Sequence, residues 1–397
     1  MYQIKHNSRV ENFVFGNIPD YLFNRTNALS NKRLAWIDYA KGIAIFLVIY
    51  HHAFLGLLAA GLPVNKFLIN LNMAVYSFRV PLFFILSGLF ISQGLKKRGL
   101  EKYLKYRGKI LLYPYLLWAI LQVSFGFFFR SYSNFPWGPK LFLFILYEPK
   151  YTGQLWYLLA LFNASAIYSL LTVKCRLKKT HHLLLGLVLY LLAPALSFNS
   201  LLQQLSIFYI YLIIGTLLSN SILSGNLHLE SYKRFVILLP IFVVSQIYFL
   251  RHENMDPFFI SYKNAGLSAN WLLNSDIKMI KYLLIVLIGC SITINLCFIL
   301  QRWQKMKIIR LIGFHSLYIY IMHIILIVTV RTIFIYILNY RNTFVILPTQ
   351  VILAALISIV LYNICKNSGL NWLFEFDANA FKTIFQKFQH QLKIKNV

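Results

Sequence analysis

The sequence predicts an all-α protein that crosses the membrane about ten times as one polytopic helix bundle. Of its 397 residues, 59% are hydrophobic and only 13% are charged, about half the charged fraction of a typical soluble domain. Apolar runs of roughly 17 to 25 residues recur along nearly the whole chain, and each is long enough to cross a bilayer as a helix. Polar clusters separate these runs, and basic residues concentrate in every second cluster, which is typical of a multi-pass membrane protein.

The apolar runs divide the chain into an N-terminal segment (1–33), one membrane domain (34–366) and a C-terminal tail (367–397). A very tight turn around Asn199 separates the fifth and sixth spans. The run LFLFILY, which follows Lys140, is too short to span and is predicted to be re-entrant or interfacial. The predicted spans lie near residues 35–60, 74–95, 109–130, 153–173, 182–198, 201–219, 234–250, 279–300, 309–331 and 345–365.

The loop charges predict the orientation of the bundle. Segment 96–109 holds seven lysines and arginines, and further basic clusters occupy 174–179 and 302–310 on the same side. The opposite loops are poorer in basic residues. Because positive residues stay on the cytoplasmic side, both termini and the basic loops are predicted to be cytoplasmic. Loop 251–278, with three of the chain's eleven acidic residues, is then extracytoplasmic.

Charge and cysteine usage argue against several classes of function. The formal charge of +28 suits nucleic acid, but the basic residues lie in alternate loops and form no single basic face, so nucleic-acid binding is not predicted. The four cysteines show neither a CxxC pair nor a spacing with histidine that suits a metal. Neither a disulfide framework nor a metal site is therefore predicted.

The first span carries four ionisable residues, Asp38, Lys41, His51 and His52. Such side chains are expensive inside a membrane helix and by default mark a functional site. The eleven steps from Lys41 to His52 amount to three turns plus about 20°, so the two share a face and lie roughly 16 Å apart along the axis. Asp38 lies about 60° away, one turn towards the start of the helix. This face predicts a buried site that is entered from the end marked by Lys41.

Three other spans bring polar side chains to a depth similar to that of His52. Arg79 lies in the outer third of the second span, Trp156 near the outer start of the fourth, and His323 in the outer half of the ninth. An imidazole beside a guanidinium could deprotonate a hydroxyl and stabilise an anion or oxyanion. These residues are therefore candidates for a catalytic and substrate-binding site.

Structural roles are open for the same residues. Arg79 is close enough to the span end to snorkel, Trp156 suits an aromatic belt, and His323 suits an interhelical hydrogen bond. Asp38 and Lys41 have the spacing of a local ion pair. His51 points about 80° away from His52, which favours a structural role. The basic segment that ends at Lys109 is first an orientation signal that binds anionic lipid headgroups, and it also suits the phosphates of a nucleotide donor.

Five segments together resemble the integral-membrane acyltransferase 3 family, especially its fucose O-acetylase-like and O-antigen acetylase-like members. The resemblance covers residues 33 to about 330 and follows the family's order of motifs. In the first span the family has a basic residue, ten further positions and then a catalytic histidine, which corresponds to Lys41 and His52. It usually has glycine where His51 stands, which favours His52 as the acting residue. The segments are WIDYAKGIAIFLVIYHH, FRVPLFFILSGLFIS, YRGKILLYPYLLW, GQLWYLLALF and IGFHSLYIYIMHII.

The resemblance implies transfer of an acyl group, usually acetyl, from cytoplasmic acyl-CoA to a hydroxyl of a cell-envelope glycan or its lipid-linked precursor. It implies a multi-pass protein of the bacterial plasma membrane, with acyl-CoA as a substrate and no permanently bound cofactor. His52 would be the general base, and Asp38 would position Lys41. Lys41 and Lys109 would hold the donor near the cytoplasmic face, while Arg79 would hold the acceptor or stabilise negative charge.

A transporter that exports or flips a glycan or a small solute is the alternative. The same histidines and arginine would then line its path. Transporters often carry inverted repeats and helices broken near the midplane. No internal repeat is visible in the sequence, and its prolines do not fall at equivalent places in two halves, which favours the enzyme.

Overall fold

The computed structural model describes residues 20–128, 138–224, 230–252 and 269–376, and these residues form helices and no strand. The predicted N-terminal segment up to residue 19, most of loop 251–278 and the tail from residue 377 lie outside the described residues. The principal helices are α1 (Ala35–Ala59), α2 (Lys66–Ala74), α3 (Arg79–Arg98), α4 (Leu100–Arg107), α5 (Tyr113–Phe128), α6 (Lys140–Tyr147), α7 (Trp156–Val173), α8 (Lys179–Leu192), α9 (Ser200–Leu223), α10 (Ser231–Arg251), α11 (Ala269–Trp303), α12 (Lys307–Phe314), α13 (Ser316–Thr332) and α14 (Thr343–Asn367).

Nine helical stretches among the described residues are long and apolar enough to cross a membrane. This confirms the predicted polytopic helical bundle. The predicted fifth span is instead α8, which has only 14 residues and is about 21 Å long, short of the roughly 30 Å hydrocarbon core. A turn through residues 193–199 then leads into α9. The direction in which the bundle crosses the membrane stays a prediction.

The helices alternate in direction, so the loops rich in lysine and arginine meet at one end. We call this the basic end, formed by the last turn of α3 with Gly99, by loop 174–178, and by the end of α11 with loop 304–306; the other end is the opposite end. Helices α1 and α13 begin at the basic end, whereas α3, α7 and α9 begin at the opposite end. The direction of each helix therefore sets how deep its candidate residues lie in the bundle.

Asparagine side chains begin three helices. Asn65, Asn199 and Asn342 each accept a hydrogen bond from a backbone N–H in the first turn of α2, α9 and α14, at 2.8 to 3.0 Å. Those N–H groups have no partner within the helix, and an asparagine N-cap typically stabilises a helix by about 1 kcal/mol. The tight turn predicted around Asn199 is thus closed by the cap that starts α9.

Close backbone packing fixes α1 against α12. A Cβ atom at Gly42 would collide with the backbone carbonyl of Ile309, and one at Gly313 would collide with that of Asp38. Glycine therefore allows the two helices to touch through their backbones. The Tyr39 hydroxyl strengthens this corner, since it donates a hydrogen bond to the carbonyl of Lys305 at 2.5 Å. The first turns of α1, which carry Asp38 and Lys41, are therefore held firmly against α12.

Helices α3 and α9 cross in the same way. A Cβ atom at Gly88 would meet the carbonyl of Leu212, and one at Gly215 would meet the carbonyl of Ile85. The hydroxyl of Thr216 donates to the carbonyl of Gly88 at 3.3 Å. In lipid there is no hydrophobic driving force between helices. Small residues let the backbones approach closely, so van der Waals contact stabilises such a crossing instead.

His315, at the junction of α12 and α13, has a structural position. Its Nδ1–H donates to the carbonyl of Leu311 at 3.0 Å, and its Nε2 accepts from the amide of Asn363 at 3.2 Å. The ring therefore joins α12, α13 and α14 at the basic end.

Candidate functional site

Histidines from α1 and α13 meet inside the bundle. The ring centroids of His52 and His323 are 5.2 Å apart, although 270 positions separate them in the chain. The described residues make no hydrogen bond to either ring nitrogen of His52. Hydrogen bonds within this part of the fold therefore use neither nitrogen of the imidazole.

The tautomer of His323 follows from its hydrogen bond. Its Nδ1 lies 2.7 Å from the carbonyl oxygen of Tyr320, and because a carbonyl only accepts, this nitrogen carries the proton. The other nitrogen, Nε2, therefore bears a lone pair; it is fully buried and has no partner among the described residues. A lone pair beside His52 can accept an N–H from a protonated neighbouring ring.

His51 faces a different side of α1. Its Nδ1 lies 3.1 Å from the side-chain oxygen of Asn72 on α2, and its ring contacts Tyr76 at 5.4 Å between centroids. The bond to Asn72 anchors α2 to α1. This geometry favours a structural role for His51 and leaves His52 as the more available base.

Arg79 lies next to this histidine cluster. Its guanidinium stacks over the ring of Tyr76, 4.3 Å from the centroid, and its charge acts on the rings of both His51 and His52. Only 6% of the residue is exposed, so Arg79 does not snorkel to the membrane surface. It places a fixed positive charge beside the imidazoles.

A large cavity opens at the basic end. Its volume is about 520 Å³, and it extends from the loop after α3 inwards to Tyr157 and Tyr320. Four cationic side chains line it, and most of the rest of the wall is apolar or aromatic. Positive charge with hydroxyl and aromatic groups suits an anionic ligand that has an apolar portion. The cationic lining consists of Lys41, Lys97, Arg98 and Arg107.

The guanidinium of Arg107 is held by hydrogen bonds, and no motif in the sequence indicated this residue. Its Nη2 donates to the hydroxyls of Ser165 at 2.6 Å and Ser87 at 3.1 Å. Its Nε is buried and has no partner among the described residues. Arg107 is thus fixed by two neighbouring helices and retains an unused donor. The spacing of the basic loop alone gave no signal for it, because both serines come from other helices.

Lys109, predicted to hold the donor, is absent from the cavity lining. It is exposed, and its ammonium group lies 5.9 Å from the ring centroid of Phe376. Lys109 follows Arg107 by two positions along a helix, so the two side chains point to nearly opposite sides. A π-helical turn, Gly108–Leu112, begins between them. Lys109 therefore does not line the cavity, whereas Arg107 does; a role for Lys109 in holding the donor stays a prediction.

The ion pair of Asp38 is formed with Arg33 and not with Lys41, although the spacing of Asp38 and Lys41 allowed one; a role for Asp38 in positioning Lys41 stays a prediction. Asp38 accepts two hydrogen bonds from Arg33, from Nε at 2.9 Å and from Nη2 at 2.8 Å. These bonds raise the pKa of Arg33. A two-point bond to guanidinium is stronger than a contact with an ammonium group, and Arg33 folds back to reach it. Lys41 is left to line the cavity, with Asp38 acting on it only through its charge.

A smaller cavity of about 60 Å³ lies towards the opposite end. Arg79 and Trp156 both line it, so two of the predicted substrate-binding residues share one space. The Trp156 ring packs on Phe208 at 5.4 Å between centroids. We call this space the outer cavity; its remaining lining is Tyr76, Ser77, Val80, Pro81, Ile207, Phe208, Tyr211 and Tyr282.

The histidine pair lines neither cavity, but ring contacts connect it to a lining residue of each. Tyr320, at the inner end of the large cavity, contacts His323 at 5.7 Å between ring centroids. On the other side, Tyr76 belongs to the outer cavity and contacts His51. Two compartments that meet at a pair of imidazoles can bring two substrates to one base from opposite ends.

The residues at this site suit acid–base chemistry. The described residues contain no group of three or more histidine, cysteine or carboxylate side chains arranged to hold a metal ion. The site offers imidazole bases, a fixed guanidinium and a cationic cavity. These groups suit proton transfer and binding of an anionic substrate.

A family model described as an acyltransferase domain matches residues 34–363. The match includes both histidines, Lys41, Arg107 and the lining of both cavities. No curated protein and no solved structure matches the chain.

Proposed function

The chain belongs to the acyltransferase 3 family and is a membrane acyltransferase, and from this premise we propose that it transfers an acyl group, usually acetyl, from acyl-CoA to a hydroxyl of a cell-envelope glycan or its lipid-linked precursor. The protein would act in the plasma membrane of a bacterium, with its basic end in the cytoplasm. One observation supports the proposal above all. His52 pairs with His323, and ring contacts connect the histidines to a cationic cavity through Tyr320 and to the cavity of Arg79 and Trp156 through Tyr76.

The large cavity suits the donor. The phosphates of CoA would meet Lys41 and Arg107, with Lys97 and Arg98 nearer the mouth. The described residues that line this cavity include no carboxylate, so its positive charge is available to an anionic ligand. The narrow pantetheine arm would then extend along the aromatic wall towards Tyr320 and the histidines.

The reaction needs one base and one fixed charge. His52 removes the proton from the acceptor hydroxyl while the oxygen attacks the thioester carbonyl. An ester bond forms, the carbon–sulfur bond breaks, and the CoA sulfur leaves with the proton that His52 carried. The lone pair on His323 stabilises the imidazolium of His52, and Arg79 stabilises negative charge that develops on oxygen.

Replacing Arg107 by methionine is expected to weaken CoA binding about tenfold to a hundredfold, because a charged hydrogen bond is worth roughly 1.5 to 3 kcal/mol. The measurement is the Kd for CoA of the detergent-purified protein, by isothermal titration calorimetry. Lys109→Met is the matched control, since it removes a nearby charge that lies outside the cavity, and its Kd should stay within about twofold of the wild type. Equal effects of the two variants would contradict a specific role for Arg107.

Deleting the gene tests the proposed function as a whole. We expect an intact surface glycan of normal length and amount that lacks one acyl ester, visible by NMR of the purified polymer. The ester should return when the wild-type gene is supplied on a plasmid. A glycan that is missing or retained inside the cell would instead support the transporter.

A further inference from the structure

We propose that the outer cavity and the adjoining face of α9 form the binding site for a polyhydroxylated acceptor, with Ser77 and Gln204 as its hydrogen-bonding residues. The inference rests on the proposed function and deepens it. It assigns recognition of the acceptor to two residues that no motif of the chain indicated.

Ser77 supplies the first observation. It lines the outer cavity, only 2% of the residue is exposed, and its hydroxyl has no hydrogen-bond partner among the described residues. A buried hydroxyl that makes no hydrogen bond destabilises the fold, and in lipid no bulk water can satisfy it. A serine in this position is therefore suited to a ligand that brings its own hydroxyl.

The face of α9 supplies the second observation. Ser200, Gln204, Phe208 and Tyr211 follow one another at spacings of four, four and three residues, so they form one stripe that runs from the opposite end of the bundle to the outer cavity. The amide nitrogen of Gln204 and the hydroxyl of Ser200 are buried, and neither makes a hydrogen bond with the described residues. Unused polar groups thus continue along α9 from the cavity to its start.

The composition of the site matches a sugar better than an apolar acceptor. Amide and hydroxyl groups can satisfy the hydroxyls of a saccharide, while Trp156 and Phe208 offer a ring face for its apolar side. A cavity of about 60 Å³ has room for a few water-sized groups. It therefore suits the reacting hydroxyl or hydroxymethyl group, with the rest of the acceptor along α9.

The position of the cavity also suits the reaction. Arg79 lines it, and the charge of Arg79 acts on the ring of His52. A hydroxyl bound between Ser77 and Arg79 would therefore lie on the side of the histidine cluster that faces away from the donor cavity. Attack on the thioester would then come from the opposite side to CoA.

The test uses Ser77→Ala, Gln204→Met and their combination in the full-length protein. The probe is the purified envelope glycan of the source bacterium, with acetyl-CoA as donor. We expect the KM for the glycan to rise at least about fivefold in each single variant, while the Kd for CoA stays within twofold. Ser358→Ala is the matched control, because that buried serine donates to the carbonyl of Ala354 within its own helix; it should leave the KM unchanged.

Thermal stability separates a binding role from a structural one. Because the Gln204 amide nitrogen has no partner, an isosteric apolar residue should leave the Tm unchanged or raise it. A lower Tm with parallel loss of CoA and glycan binding would overturn the inference, as would a wild-type KM in the double variant.

A binding measurement without acyl-CoA distinguishes failure of this inference from failure of the proposed function. The glycan should raise the Tm of the wild type and not that of the double variant. If this difference appears while the wild type transfers no acetyl group, the proposed function is wrong and the binding site stands. If the glycan affects both proteins equally, the assignment of Ser77 and Gln204 is wrong whatever the activity.

Discussion

Replacing His52 by alanine is expected to lower the rate of acetyl transfer by roughly 10²- to 10⁴-fold, the usual contribution of a positioned general base. The imidazole contacts the ring of His323 but has no hydrogen-bond partner among the described residues, so no hydrogen bond within this part of the fold accounts for it. The measurement is the initial rate of radiolabelled acetyl incorporation into purified glycan by membranes that hold equal amounts of each variant. The Kd for CoA should change little, because the cationic groups that bind it are distant from the imidazole.

His51→Gln is the matched control for this experiment. It changes the adjacent histidine on the same helix and keeps a side chain that can reach Asn72, the present partner of His51. We expect a rate within about tenfold of the wild type, since only a neutral hydrogen bond is altered. Full activity of His52→Ala at normal expression would contradict the assignment of His52 as the general base. A larger loss of rate from His51→Gln than from His52→Ala would assign that role to His51.

Helix periodicity was sufficient to predict the face that joins Lys41 to His52. Helix α1 runs without interruption from Ala35 to Ala59, so angles counted along the sequence apply directly. Depth could be predicted in a similar way. The distance of Arg79, Trp156 and His323 from their span ends brought them near one level, and the structure brings His323 to His52 and Arg79 to Trp156.

Contacts that depend on other segments of the chain could not be predicted from helix spacing. Asp38 and Lys41 have the right spacing for an ion pair, but Arg33 lies just outside the helix and reaches the carboxylate with two donors. Nothing in a helical repeat describes how the segment before α1 folds back. The position of Arg107 in the cavity could not be predicted for a related reason, because the hydroxyls that orient it come from α3 and α7.

The outer cavity could not be predicted from single residues. Ser77 and Gln204 are ordinary amino acids in their own segments, and their significance comes only from burial without hydrogen-bond partners. Such a property depends on how α3 and α9 pack. The contact between these two helices is therefore the element on which both substrate sites depend.

Replacing Gly88 by valine is expected to remove that contact and to prevent recovery of folded protein. A Cβ at this position collides with the carbonyl of Leu212, and backbone cannot move aside as a flexible side chain can. Overpacking commonly costs about 1 to 3 kcal/mol, and the branched side chain of valine at a backbone contact should exceed that range. The measurement is the yield and Tm of monodisperse protein after detergent extraction. Gly108→Ala is the control, because a Cβ there meets nothing within 4 Å.

The milder Gly88→Ala variant tests whether the α3–α9 contact supports both substrate sites. Ser87, which accepts a hydrogen bond from Arg107, is next to Gly88 in the chain. Tyr211, which lines the outer cavity, is next to Leu212. Spreading α3 from α9 by even a fraction of an ångström should therefore weaken binding of CoA and of the glycan together. Arg107→Met should affect only CoA, and Gln204→Met only the glycan. If Gly88→Ala instead affected one substrate alone, the two cavities would not share the α3–α9 contact as their common support.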